Sequence, residues 1–151
     1  MFKKVFVLLF LSLIISGCGY MAVYKGVVKF NYKILVSEHS GDRDMINLIN
    51  TRLKKYSEIK SDKSFIIKID TIYQKNIIAK NTAGKATDYQ IKVTSNFNIK
   101  SEVINKIIKI NETFNVKAMD DKFKEQRYDT IIKNNIANTI VKRIILQLSR
   151  N

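Results

Sequence analysis

The chain has little of what disulfide frameworks, metal sites and phosphate loops require. Its 151 residues include no proline, five glycines, one cysteine and one histidine. A single cysteine cannot form an internal disulfide, and with a single histidine it excludes a zinc site built from the usual cysteine and histidine ligands. Gly41 and Gly84 are isolated, so the central and C-terminal parts hold no glycine-rich phosphate loop. Without proline there is no proline-rich linker, and we expect one domain.

Catalytic constellations are also missing. His39 stands in a polar stretch ahead of the first predicted helix, and we expect it to be a solvated residue of a turn. No serine lies in a context typical of a nucleophile elbow. Asp42, Asp44, Asp120 and Asp121 stand where helix starts favour acidic residues, so capping explains them without chemistry. We predict that the protein is not an enzyme, with no catalytic residues, no metal and no cofactor apart from a covalent lipid.

The first eighteen residues have the order of a bacterial lipoprotein export signal. That order is Lys3, Lys4, an apolar run over 5–15, Ser16, Gly17 and Cys18. The apolar run is too short to span a hydrocarbon core of about 30 Å, which favours cleavage over retention. The two small residues favour a cut before Cys18, whose thiol would then carry the lipid. The alternative is a buried segment with an ordinary core thiol.

The residues after the cysteine bear on location and domain number. Gly19 rather than aspartate follows Cys18, so nothing directs the protein to the inner membrane. We expect a lipid-anchored protein on the periplasmic side of the outer membrane. Residues 1–17 are interpreted as the signal peptide, 18–26 as the lipidated N-terminus and tether, and 27–151 as one domain with its own core.

The chain is strongly basic, with 27 Lys and Arg against 13 Asp and Glu and a formal charge of +14. Two of these charges fall in the export signal, which leaves +12 for the remainder. An exported protein meets little nucleic acid, so we expect phospholipid headgroups, phosphorylated glycolipids or an acidic protein surface as partners. Part of the basicity also matches the Lys, Ile and Asn bias of an AT-rich genome, so charge alone identifies no partner.

Alternating apolar residues predict four strands. The first is predicted over 27–37, where β-branched and aromatic residues are frequent. Three more are predicted over 65–79, 89–100 and 104–117, where the apolar period is two residues. Short connections join these three, so we expect an antiparallel meander with one polar and one apolar face. The first two strands are expected to be parallel if adjacent, because a helix lies between them.

Two amphipathic helices complete the pattern. The first follows Ser40-Gly41-Asp42, with apolar positions at helical spacing from Met45 to Tyr56. The second begins at Asp120 and Asp121. Its apolar stripe is Tyr128, Ile132, Ile136, Ile140, Ile144 and Leu148, widened by Ile131, Val141 and Ile145. The sequence therefore predicts a single α+β domain of order β-α-β-β-β-α, a four-stranded, mostly antiparallel sheet with both helices packed on one face.

Ala86-Thr87-Asp88-Tyr89-Gln90 opens the clearest strand after a glycine-containing hairpin. This opening resembles the corresponding strand opening in the LptE family of lipopolysaccharide-assembly lipoproteins. The resemblance extends over the mature chain through Cys18-Gly19-Tyr20, Arg52-Leu53, Asp120-Asp121 and Ile145-Leu146-Gln147-Leu148. The chain departs from better-known members in having no long polar tail beyond Leu148 and no prolines in its loops, and we expect the domain to end at its last helix.

The resemblance implies a lipoprotein that sits inside the outer-membrane β-barrel LptD, assists its assembly and binds lipopolysaccharide on its way to the cell surface. A body inside a barrel needs a polar surface that matches a polar lumen. The candidate partner-facing residues are Lys92, Thr94, Asn96, Lys109, Asn111 and Thr113. In the family, basic residues implicated in lipopolysaccharide contact lie between strands two and three and just before the last helix. The nearest candidates are Lys80, Lys85, Lys122 and Lys124, whose ammonium groups suit lipid A phosphates.

Other interpretations stay open. Each of these lysines is also explained as a solvated surface residue. The protein as a whole also fits an auxiliary lipoprotein of an envelope lipid transporter, or a lipid-binding or cell-wall-binding module that activates a partner enzyme. The tight partner distinguishes the three functions, since it would be an integral β-barrel, an inner-membrane transporter or a peptidoglycan enzyme, respectively.

Overall fold

The computed structural model describes residues 31–150, which adopt the predicted order of elements. The elements are β1 (Lys33–Gly41), α1 (Arg43–Ser57), β2 (Ser64–Lys80), β3 (Ala86–Lys100), β4 (Asn105–Lys117) and α2 (Lys122–Leu148). The predicted signal peptide over 1–17, the lipidation site Cys18 and the tether over 18–26 lie outside the described residues.

The four strands form one mixed sheet in the order β1-β2-β3-β4. Strands β2, β3 and β4 are antiparallel neighbours joined by short turns, which confirms the predicted meander. Strands β1 and β2 are parallel, as expected for strands joined through a helix.

One continuous core lies between the sheet and the two helices. The buried side chains of α1 are Met45, Ile46, Ile49 and Leu53, and those of α2 include Ile132, Ile136, Ile140, Ile144 and Leu148. The strands contribute alternate residues, among them Phe65, Ile67, Ile91, Val93, Phe97 and Ile110. Because each apolar stripe is covered by the other layer, the predicted α+β domain with both helices on one face is confirmed.

Acidic caps fix both helix starts. The side chain of Asp42 accepts a hydrogen bond from the backbone N–H of Met45 at 2.9 Å, as predicted. Asp121 accepts from the N–H groups of Phe123 and Lys124 at 2.9 and 3.2 Å. Asp120 was expected to share this role but pairs with a lysine instead, because only one side chain can occupy the N-cap position.

The first strand begins and ends later than predicted. Within the described part of the chain, residues 31 and 32 are not strand, and β1 continues to Gly41. A register shift between Val36 and Glu38 lets the pairing with β2 continue through this polar segment. His39 therefore lies exposed on a strand, opposite Ile69, and its predicted placement in a turn is wrong.

Two members of the predicted apolar stripe point away from the core. Tyr128 is 41% exposed and Ile131 is 54% exposed. The side of the first turns of α2 that faces the sheet is instead the one bearing Glu125 and Asp129, which reach Lys75 of β2. The salt bridges of Glu125 and Asp129 with Lys75 thus determine which side of the first turns of α2 faces the sheet. Apolar contact with the core begins at Ile132.

Candidate partner and glycolipid surfaces

The six predicted partner-facing residues form three rows on the outer face, the sheet face opposite the helices. The cross-strand pairs are Lys92 with Thr113, Thr94 with Asn111, and Asn96 with Lys109. The hydroxyl of Thr94 donates to Oδ1 of Asn111 at 2.9 Å. The structure therefore brings together residues that the sequence could assign only to the same face.

The half of the outer face formed by β3 and β4 is positively charged. From Gln90 to Lys100 on β3 and along all of β4, the outward positions hold four lysines and no carboxylate. These positions are Gln90, Lys92, Thr94, Asn96, Asn98 and Lys100 on β3, and Asn105, Ile107, Lys109, Asn111, Thr113, Asn115 and Lys117 on β4. The surface offers amides, hydroxyls and ammonium groups, which suits a polar partner.

The carboxylates of the outer face lie mainly on its other half and are engaged there. Glu38 pairs with Lys68 at 2.6 Å, and Asp70 accepts from the hydroxyl of Ser40 at 2.8 Å. The face is also less uniformly polar than predicted. Leu35, Ile66, Ile72 and Ile107 are exposed on it, because alternation sends every second residue outward whatever its type.

The four lysines predicted to contact lipopolysaccharide lie at one end of the sheet, named here the hairpin end and formed by the β2–β3 turn and the β4–α2 connection. The backbone N–H of Ala118 donates to the carbonyl of Thr87 at 2.8 Å, which joins the two segments. Lys85 Nζ lies 2.6 Å from Asp120 Oδ1, and Lys124 Nζ lies 3.9 Å from Asp121 Oδ2.

The other two lysines of this group, Lys80 and Lys122, are exposed. Neither is in a salt bridge with another residue of the range 31–150. Among residues 31–150, the hairpin end thus has two ammonium groups in salt bridges and two outside them.

Replacing Lys85 with glutamine should raise the pKa of Asp120. The hydrogen bond and charge of Lys85 hold the pKa of this carboxyl below its usual value, and both side chains are exposed. The stabilisation of the folded state by this pair is fully present above the ordinary pKa of the carboxyl. It is lost as the pH falls through the lowered pKa. A carboxyl carbon NMR titration of wild type and Lys85→Gln would measure the change. An unaltered titration of Asp120 would show that the pair does not form in solution.

A charged cluster beneath α2 was not anticipated from the sequence. Lys75 Nζ lies 2.8 Å from Glu125 and 3.0 Å from Asp129, and 4.6 Å from the centre of the Tyr89 ring. Burial lowers the pKa of Lys75, but the hydrogen bonds to both carboxylates outweigh it, so the pKa lies above its usual value. The sequence does carry a signal for this cluster. Alternation along β2 places Lys75 on the same face as the core-facing residues from Phe65 to Tyr73.

A second charged residue at a core-facing position lies on β4. Glu112 occupies a core-facing position, is 7% exposed and lies 2.9 Å from the guanidinium of Arg143 on α2. Both clusters join α2 to the sheet, and each carboxylate faces a cation. We interpret both clusters as contacts that hold α2 against the sheet.

Two further properties bear on the site. Among residues 31–150, no three His, Cys, Asp or Glu side chains are grouped so as to hold a metal ion. Neither described helix combines the length and apolar character needed to cross a bilayer.

Comparison with known proteins identifies the fold. No protein-family model matches the chain, and no curated protein is similar to it in sequence. Among solved structures, rare lipoprotein B from Shewanella oneidensis is 12% identical, with 78% of this chain and 94% of that chain covered and a TM-score of 0.59. Lipoprotein B from Nitrosomonas europaea is 11% identical, with 80% and 86% covered and a TM-score of 0.58. A minor lipoprotein from Acinetobacter baumannii is 12% identical, with 78% and 92% covered and a TM-score of 0.52. The chain therefore has a fold found in bacterial lipoproteins.

Proposed function

We propose that the protein is an outer-membrane lipoprotein that plugs an LptD-type β-barrel, assists its assembly and contributes to the transport of lipopolysaccharide to the cell surface. In this proposal Cys18 carries the acyl chains and the domain faces the periplasm. The export signal at the N-terminus and the fold found in bacterial lipoproteins support membrane attachment.

One observation carries the barrel partnership. The outer face holds three directly paired rows of lysine, threonine and asparagine side chains, and both helices pack on the opposite side. A rigid sheet bearing polar side chains can lie against the wall of a polar lumen and exchange hydrogen bonds with it. The lysines on this half would favour a lumen lined with acidic side chains.

Co-purification tests the proposal. The acylated protein carrying a C-terminal affinity tag would be extracted from its own membranes in mild detergent, and its stoichiometric partner identified by mass spectrometry. We expect an integral β-barrel that resists extraction and migrates differently before and after heating. Capture of an inner-membrane transporter or of a peptidoglycan enzyme in its place would contradict the proposal. Cys18→Ala is the control for the contribution of the lipid.

The hairpin end and the outer face should be separable by charge reversal. We expect Lys80→Glu with Lys85→Glu to weaken binding of purified lipopolysaccharide at least tenfold in low salt and less in high salt, because screening already reduces the interaction there. Barrel capture should stay nearly unchanged. Lys92→Glu with Lys109→Glu makes the same change of charge on the outer face and should give the reverse result. Equal lipopolysaccharide affinity in both double variants would remove the assignment of the hairpin end.

A further inference from the structure

The end of the sheet opposite the hairpin end, named here the basal end, has features that the plug proposal does not use. It is formed by the starts of β1, β2 and β4, the ends of α1 and β3, the loop over 58–63 and the turn over 101–104. A concavity of about 560 Å³ lies there, lined in part by Tyr32, Lys63, Lys100 and Val103. The fifteen residues of β3 separate the two ends by about 45–50 Å.

Positive charge is concentrated at the basal end. Seven lysines lie there: Lys33, Lys54, Lys55, Lys60, Lys63, Lys100 and Lys106. The carboxylates of the same region are Glu58, Asp62 and Glu102. Within residues 31–150, none of these lysines is in a salt bridge. Lys55 and Lys63 lie 5.0 and 6.0 Å from the ring centres of Tyr56 and Tyr32, contacts that do not neutralise their charge. The charge of the seven lysines can therefore attract an anionic surface.

Aliphatic side chains project among these lysines. Val103, at the tip of the β3–β4 turn, is 91% exposed, and Ile107 is 71% exposed. Leu35 and Ile66 are direct neighbours on the outer face of the same end and are also exposed. Apolar tips flanked by lysines are typical of surfaces that rest on a bilayer, because the apolar groups enter the interface while the ammonium groups stay among the headgroups.

The chain enters the described domain at this end. The carbonyl of Asn31 accepts a hydrogen bond from the hydroxyl of Ser61 at 2.8 Å, which fixes the entry point beside the loop over 58–63. Twelve residues, 19–30, separate it from the predicted acylation site at Cys18, so the two positions lie at most about 45 Å apart. A lipid on Cys18 would keep the basal end within that distance of the bilayer.

We propose that the basal end docks on an anionic phospholipid surface, with Val103 at the interface and Lys63 and Lys100 among the headgroups. The inference rests on the membrane attachment in the proposed function and adds an orientation to it. Because a domain inside a barrel is separated from the lipid by the barrel wall, this orientation is that of the free protein before it enters the barrel. In that state the domain would stand on the leaflet with its hairpin end, and the lysines assigned to glycolipid there, about 45–50 Å from the bilayer surface.

The test uses residues 18–151 with Cys18→Ser, so that no lipid contributes to binding. The chain contains no tryptophan, so Val103→Trp introduces a single tryptophan whose emission reports on the tip. With vesicles of phosphatidylcholine containing about one third phosphatidylglycerol, we expect a blue shift and binding that weakens at least tenfold from low to moderate salt. Vesicles of pure phosphatidylcholine should give no shift. A tryptophan emission that the anionic vesicles leave unchanged would overturn the proposal.

Matched charge reversals locate the contact. Lys63→Glu with Lys100→Glu should weaken binding to the anionic vesicles at least tenfold, whereas Lys80→Glu with Lys122→Glu, the same change at the hairpin end, should alter it less than twofold. All four lysines are exposed, and thermal unfolding would verify that each variant is folded. Equal losses would show that net charge alone drives binding and would overturn the assignment, as would self-association through the turn over 101–104. Barrel capture is measured separately, so failure here leaves the proposed function standing.

Discussion

Gly41→Ala is expected to lower the free energy of unfolding by at least about 3 kcal/mol. Gly41 ends β1 with a φ of 102°, a conformation that side chains with a Cβ rarely adopt. An added Cβ would lie 2.0 Å from the carbonyl oxygen of Thr71, which accepts a hydrogen bond from the backbone of Asp42. The substitution would therefore displace the β1–β2 pairing and the cap of α1 together. Chemical denaturation would measure the loss.

Gly84→Ala is the matched control. Gly84 also has a positive φ, of 78°, but a Cβ there meets no atom within 4 Å. Only backbone strain remains, so we expect a loss of about 1–2 kcal/mol. Equal losses in the two variants would show that the close approach of Gly41 to Thr71 adds nothing to the cost of the substitution.

Ile136→Ala is expected to cost about 2–5 kcal/mol, because it empties a fully buried position at the centre of α2. Ile131 lies on the same helix but is 54% exposed, and Ile131→Ala should change stability by less than about 0.5 kcal/mol. The comparison keeps the chemical change constant and varies only burial. A large loss of stability in Ile131→Ala would indicate that Ile131 packs in the core, as the apolar stripe predicted from the sequence implies. It would contradict the exposed position of Ile131 on α2.

The fold was largely predictable because its signals are local. Alternation in β3 and β4 and helical spacing in α1 and α2 reflect the burial of one face, and each acidic cap is close in sequence to the helix that it starts. The extent of β1 was not predictable, because pairing with β2 carries a polar segment past a register shift. His39 belongs to β1 because the pairing with β2 continues past it, although the segment around it is polar.

The candidate site was predictable only in part. Alternation places Thr94 and Asn111 on one face, but their direct pairing depends on strand register, which no local pattern specifies. Lys85 and Asp120 are distant in sequence and meet because the meander brings their loops to one end. Val103 looks like an ordinary turn residue in the sequence, and only the folded chain shows it projecting beside the chain entry point.

Site-specific photo-crosslinking in living cells tests the barrel partnership most directly. A photoreactive amino acid at position 94 or 111 would lie at the centre of the outer face, and one at exposed position 126 would lie on the helix layer as the control. We predict that positions 94 and 111 crosslink to one integral β-barrel protein and that position 126 does not. Crosslinks from position 126 alone, or no barrel adduct from either outer-face position, would contradict the account.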